Sequence, residues 1–562
     1  MKNLFLYIVF VIFFPGKFVF PSNAKILLVN PSRTQSVLEK LNKPYNSYFE
    51  EWKKLLFRNG YEFDIVNDDE IDNELDERYS LLIAFDVLCV DYAAYDEIKY
   101  FFEIGGNLLI NGEFGIMDRY GTQFENNLFG SILGFEYYKN DFRPGMNYLL
   151  SLKAKQPVTS GLEFGYVTNF NDNFIPLTIH SGKNDIENFG YWQTNLEIFQ
   201  GYNPFSKYPG IIKGKINNGK FYWFGFQSFD PLNSSNNIKN LERLYLNALK
   251  DLLSEPVVTI SPWPDAKNSA VALQLNNFED ELVTYFKKNK IDFDLVVTPF
   301  SESKLKLNSY KNLTLDMSEK FLSSDNFKTT ITSYNNYFES SFGEKLSTVF
   351  LNTTLLSPGN VKALADEGFD ALYCECKSLL NENYYSLVEG SLILTPLKID
   401  AALTVKEFSL EDCNEFIHFT KNLFAKIDEE GLYFNLSIPR SAFKNCDYKT
   451  EILRAISYFN QNNSWITSSK EIFGRLNDHR NLHVSVDKLN SSKYSFAIKN
   501  SGEKSMDDVT IVSNEILNFY SITDNRLIKR DFIDTSGKRI IVVKSIKRGE
   551  SIELVFENSG NY

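Results

Sequence analysis

Ala270-Val-Ala-Leu-Gln-Leu-Asn-Asn-Phe-Glu279 is an apolar run with one polar side chain, Gln274, that stops at two amides, Asn276 and Asn277. A short apolar run bounded by polar residues predicts a fully buried strand. Glu279 and Asp280 follow it and read as solvated acids opening the next helix, where negative charge is favoured. Further along, Phe293 to Thr298 and Ala371 to Glu375 repeat the pattern with helix-like stretches between them. Strands alternating with helices predict a parallel sheet, and this period predicts a distorted (β/α) barrel between residues 256 and 478.

Upstream, the chain alternates in the same way. Lys25-Ile-Leu-Leu-Val-Asn30 predicts a buried strand, Tyr48 to Phe57 a helix closed by Gly60, and Tyr61 to Val66 and Ser80 to Phe85 further strands. A helix near Tyr95 to Ile104 then leads into Gly105-Gly-Asn-Leu-Leu-Ile110, and a late strand runs over Lys220-Phe-Tyr-Trp-Phe-Gly225. These elements predict a flavodoxin-like α/β domain over residues 25–255, ending near Ser254-Glu-Pro256. After Asn477 the texture changes to short alternating runs broken by Asn-Ser, Gly and Asp clusters, which predicts a β-sandwich over 479–562. The fold class expected is therefore α/β multidomain, which suits 562 residues at about 100 to 200 per domain.

The amino terminus, Met1-Lys-Asn followed by the apolar run Leu4 to Phe14 and the small-residue site Ser22-Asn-Ala24, has the build of a signal peptide over residues 1–24. Export to the periplasm or the extracellular space is expected, with mature protein from Lys25; an uncleaved membrane anchor is the alternative. A net charge of −13 argues against nucleic acid or anionic lipid as partner, because phosphate binding needs a concentrated basic surface. A polysaccharide or cell-wall glycan is the expected partner, and aromatics at 15% of the chain supply rings for stacking as well as core. Five cysteines spread over the chain are not a disulfide framework, and Cys374-Glu-Cys376 reads as two buried structural thiols on one face of a strand.

Residues 256–478 resemble the polysaccharide deacetylase family, and the resemblance implies four functional stations. At the first, where the family has two Asp, this chain has Asn276 and Asn277. At the second, a His pair four residues apart on one helical turn, it has Asp316 and Lys320, read as an i, i+4 ion pair. At the third, an Arg-x-Pro segment, Phe350 to Pro358 has no Arg. At the fourth, a His before Pro that acts as general acid, Ile438 precedes Pro439. Ser464-Trp-Ile-Thr-Ser-Ser-Lys-Glu471 is similar to the family's closing segment. Residues 25–255 resemble the class I glutamine-amidotransferase-like domain, and its nucleophile turn falls on Asn111-Gly-Glu-Phe-Gly115, with no Cys or Ser. Glu113 there reads as a carboxylate capping the next helix.

An amide oxygen is a weak ligand for a catalytic divalent cation, so neither a metal nor another cofactor is expected. The cleft candidates are Asn276, Asn277, Glu279, Asp280, Asp316 and Trp263, and no residue is assigned a catalytic role. The lead expectation is an exported, inactive deacetylase-like protein that binds or scaffolds a glycan. The alternatives are an active hydrolase using Glu279, Asp280 or Asp316, and an assembly protein whose N-terminal domain or β-sandwich contacts other proteins. The four histidines, His180, His418, His479 and His483, occupy none of the stations.

Overall fold

The computed structural model describes residues 25–45, 47–124, 128–138, 148–152, 156–162, 167–169, 177–181, 186–194, 208–226, 235–275, 280–297, 313–317, 327–343, 345–346, 348–351, 358–369, 371–374, 393–395, 399–400, 417–418, 421, 424, 428, 431, 433–438, 447–489, 493–513, 517–522, 527–534 and 538–558. It shows a mixed α/β protein with two parallel-containing sheets of nine strands each and two antiparallel sheets of four.

In the N-terminal unit the strands Phe63–Asn67, Lys25–Asn30, Tyr79–Ala84, Asn107–Asn111 and Gly219–Phe224 lie side by side in that order, all parallel. This is the 2-1-3-4-5 order of a doubly wound sheet. Alternating residues of Lys25–Asn30 feed two cores: Ile26 and Leu28 pack with Trp52, Leu55 and Leu56, while Leu27 and Val29 pack with Ile98, Phe101 and Phe102. The helix Phe49–Arg58 supplies Trp52, Leu55 and Leu56 at i, i+3 and i+4, and Gly60, at φ 74°, terminates it in the left-handed region. Beyond Gly219–Phe224 the sheet continues with Pro209–Ile216, Ile186–Thr194, Tyr148–Leu152 and Val167–Asn169, antiparallel throughout.

The central sheet runs Ile393–Thr395, Ala371–Cys374, Thr348–Leu351, Leu313–Met317, Asp294–Val297, Ala270–Leu275, Tyr433–Ile438 and Ile399–Asp400, with Trp465–Thr467 also paired to Ala270–Leu275. Every recorded pair in it is parallel. The three strands expected at Ala270, Phe293 and Ala371 are all present. Leu313–Met317 differs from the sequence reading, being a strand rather than a helical turn. The ion pair expected between Asp316 and Lys320 falls partly on Lys320, which lies outside the described residues.

The C-terminal unit pairs Val258–Ser261, Met506–Ser513, Arg539–Ile546 and Ile528–Ile533 in one sheet, and Leu482–Lys488, Lys493–Asn500, Ser551–Asn558 and Leu517–Ile522 in the other. Inward residues of both, among them Ile260, Ile511 and Val543 from the first and Phe496, Leu554 and Phe556 from the second, form one buried cluster. Val258–Ser261 corrects the boundary at 256: it pairs antiparallel with Met506–Ser513, so the chain lays down one strand of this unit before it enters the central sheet.

Candidate functional site

Ligands of parallel α/β folds bind at the carboxyl ends of the strands, where loops leave the sheet. In the central sheet the registers bring several sequence stations to that edge. Leu275 pairs with Ile438, so these two neighbouring strands end at one level. Asp316 is the penultimate residue of its strand, in register with Phe350. Asp280 opens the helix Asp280–Asn289, as expected of an acid in a first turn. Asn276, Asn277 and Glu279 lie outside the described residues, as does the third-station stretch from Asn352 to Ser357. The sequence reading passed over Asp400, which ends its strand in register with Ser437, one residue before Ile438. It stands in a two-residue strand with no apolar run to mark it.

Just below this edge is a buried polar knot. Asp294 begins its strand level with Gln274, and its Oδ2 accepts 2.8 Å from the backbone N–H of Ser469. Ser469 opens the helix Ser469–Arg480, whose N-cap, Ser468, accepts from Glu471 N. Gln274 Nε2 donates to Ser469 Oγ at 3.4 Å. Burial outweighs these donors and pushes the Asp294 carboxyl up to about 6. The knot joins the strands of Gln274 and Asp294 to the closing segment that the sequence singled out. Asp294 escaped notice because its partner lies 175 residues away.

Trp263 proves to be a core residue. It has 0% exposure, packs with Ala270, Ala272, Tyr433, Ile472 and Phe473, and donates from Nε1 to the Gly431 carbonyl at 2.7 Å. An indole enclosed on this scale has no face left for a sugar ring.

The carboxyl edge of the N-terminal sheet is occupied by its own side chains. Asp68 accepts from Arg33 N, Thr34 N and Thr34 Oγ1 at 2.7–2.8 Å, capping the helix Ser32–Lys40 from the neighbouring strand. Thr34 Oγ1 in turn accepts from Leu88 N and Cys89 N. Asn111 accepts from Asp86 N and donates to Asp86 Oδ1 and the Phe226 carbonyl. Cys89 is buried beside Met117, and burial raises its thiol to about 11, the direction of an inert structural cysteine. Glu113 lies in a turn between Gly112 and Gly115, both at positive φ. The chain after it forms bridges at Met117 instead of starting a helix, so the capping role expected for Glu113 does not hold.

Of the histidines, His479 is half-buried with Nε2 2.9 Å from the Ile260 carbonyl, and His483 Nε2 is 2.9 Å from Ser501 Oγ. His418 is exposed, and His180 lies in the strand Thr178–Ser181. Among the described residues no helix is long and apolar enough to cross a membrane.

No protein-family profile and no curated protein matches the sequence. Solved structures similar to it include a carbohydrate deacetylase, Agd3, at 8% identity, covering 95% of this chain and 98% of that one with a TM-score of 0.31. A ThuA-like protein from Bacteroides uniformis matches at 16% identity over 43% of this chain and 96% of its own, with a TM-score of 0.27. A β-galactosidase from Bacillus circulans matches at 15% identity over 42% of this chain, with a TM-score of 0.32; this chain covers 34% of its length. Activity and ligand therefore rest on the residues of this chain.

Proposed function

We propose that the chain is an exported glycan-binding protein built on a deacetylase-like barrel that has lost its catalytic groups. The register of Leu275 with Ile438 carries this reading. Two adjacent strands ending together support side-by-side first and fourth stations, for which a deacetylase would need metal-binding carboxylates and a proton donor; the sequence supplies Asn276, Asn277 and Ile438 instead. Amides donate as well as accept hydrogen bonds, which suits sugar hydroxyls, whereas an aliphatic side chain transfers no proton.

Closure into a barrel is supported by the two end strands of the sheet. Ile393–Thr395 pairs with Ala371–Cys374 and Ile399–Asp400 with Tyr433–Ile438, yet only three residues separate them. Parallel neighbours need a crossover of about a dozen residues, so these two are successive parts of one line of chain that joins both edges of the sheet.

A second reading, a divergent hydrolase, is favoured by Asp316 and Asp400 standing at strand ends of the same sheet. Two assays separate the readings. A glycan array should give a ligand for the purified protein, and elemental analysis after dialysis should give no stoichiometric zinc, cobalt or nickel. About one equivalent of retained metal overturns the binding-only proposal and makes Glu279, Asp280 and Asp316 its first candidate ligands. Export is tested separately by mass spectrometry of the secreted protein, with Lys25 expected at the amino terminus and an intact Met1 contradicting it.

A further inference from the structure

We infer that residues Glu255–Ala266 form a keystone joining all three units at the amino ends of both parallel sheets, so that both carboxyl edges face away from the joint and the C-terminal unit takes no part in ligand binding. The N-terminal unit reaches this segment through Tyr61, whose hydroxyl donates to Glu255 at 3.1 Å, and Ser160, whose hydroxyl donates to the Val258 carbonyl. Thr259 Oγ1 and Lys538 Nζ both donate to Gln156, at 3.4 and 3.3 Å. The C-terminal unit pairs with Val258–Ser261 along a full ladder, and Thr510 Oγ1 accepts from Ala266 N at 2.8 Å. Lys529 and Arg530 then bracket Asp265, and Lys529 also binds Asp508.

The central unit meets this segment at Gly431, whose carbonyl accepts from Trp263 Nε1 at 2.7 Å, at Asn463, whose Nδ2 donates to the Ala266 carbonyl at 3.0 Å, and through the helix Ser469–Arg480. Arg475 spends its guanidinium on three backbone carbonyls, Pro262 at 2.8 Å, Asp507 at 2.7 Å and Asp508 at 3.1 Å, and His479 meets the Ile260 carbonyl one turn later. One side chain thus ties the keystone, the C-terminal unit and the barrel helix together.

Chain direction fixes which ends of the sheets are involved. The helix Ser469–Arg480 follows the strand Trp465–Thr467 and packs back over Ala270 and Ala272, so Arg475 and His479 sit toward the start of the parallel strands. The keystone itself runs directly into the start of Ala270–Leu275. In the N-terminal unit Tyr61 precedes the strand Phe63–Asn67, and Glu255 follows the helix Ser235–Leu252 that returns after Gly219–Phe224. Gln156 and Ser160 follow Tyr148–Leu152, which runs opposite to the five parallel strands. All of these contacts therefore gather at amino ends, the end of such barrels that serves stability, and ligands bind at the other.

Hydrogen–deuterium exchange on the full chain tests the keystone, with the Arg475→Ala variant beside wild type. Amides of 258–261, 472–480 and 506–513 are expected to exchange at least tenfold faster together in the variant, while Lys25–Asn30 keeps its wild-type rate. Arg475→Lys, with one donor group in place of the fork, is expected to fall between the two and serves if Arg475→Ala does not fold. Wild-type exchange at 258–261 in both variants overturns the inference, as does acceleration confined to 506–513. Where the glycan array has supplied a ligand, its affinity should stay within twofold in the folded variant, and a tenfold loss would place the C-terminal unit in the binding site. A wild type that binds no glycan defeats the proposed function alone, since the exchange result still decides the keystone.

Discussion

The N-terminal and central sheets each place a buried aspartate against the amino end of a neighbouring helix, but they equip it differently. Asp68 receives two backbone N–H groups and one hydroxyl from Arg33 and Thr34. Asp294 has one backbone N–H, that of Ser469, with side-chain support from Ser469 and Gln274. Burial raises both carboxyls, and in both the hydrogen bonds oppose it. Asp294, with a single backbone donor, reaches about 6. A buried, shifted carboxyl near a strand end is thus accounted for by helix capping and need not mark catalysis.

The largest effect should come from Asp68→Ala, which leaves the donors of Thr34 without their acceptor in the protein interior. A loss of about 3 to 5 kcal/mol in urea unfolding is expected, with Asp68→Asn, which keeps one acceptor oxygen, clearly milder. Equal losses for the two variants would break the comparison, since the donor count would then be irrelevant.

Asp294 and His479 should show opposite pH dependences. The folded protein keeps the Asp294 proton up to about pH 6, whereas the unfolded chain releases it near the ordinary 3.8, so stability is lost as pH rises through that window. His479 is held down to about 4 by burial, so the unfolded chain takes up its proton first, and stability is lost as pH falls from 6.5 toward 4. Each is worth about 3 kcal/mol across its window. In wild type the two slopes oppose each other between pH 4 and 6. Asp294→Asn should therefore leave the acid-side loss from His479 exposed, and His479→Gln the opposite; a melting-temperature profile unchanged by either substitution would contradict both assignments. The smallest effect is expected from Ser468→Ala, which removes the N-cap that Asp294 reinforces, at about 1 kcal/mol.

The comparison also shows what was legible beforehand. The strands Lys25–Asn30 and Ala270–Leu275 are legible as nearly continuous apolar runs, because burial on both faces selects against polar residues. The helix Ser32–Lys40 was missed, since only Thr34, Val37 and Leu38 of it are buried and its start is capped by a residue 34 positions away. Leu313–Met317 was misread because a pair spaced by four suggests a helix whichever backbone carries it. Val258–Ser261 was placed in the wrong unit because its partner strand lies some 250 residues on, and nothing local announces that pairing. The cleft role expected for Trp263 fails because composition cannot tell a stacking ring from a core one.

The most direct test of a glycan-binding barrel without chemistry is a single saturation-transfer NMR time course on the purified protein with an N-acetylated oligosaccharide drawn from its array hits. Saturation reaching the ring protons, with no free-acetate methyl signal growing over a day, is the predicted result. Growth of that acetate signal would contradict the account and return the residues at the carboxyl edge, Asp316 and Asp400 among them, to catalysis.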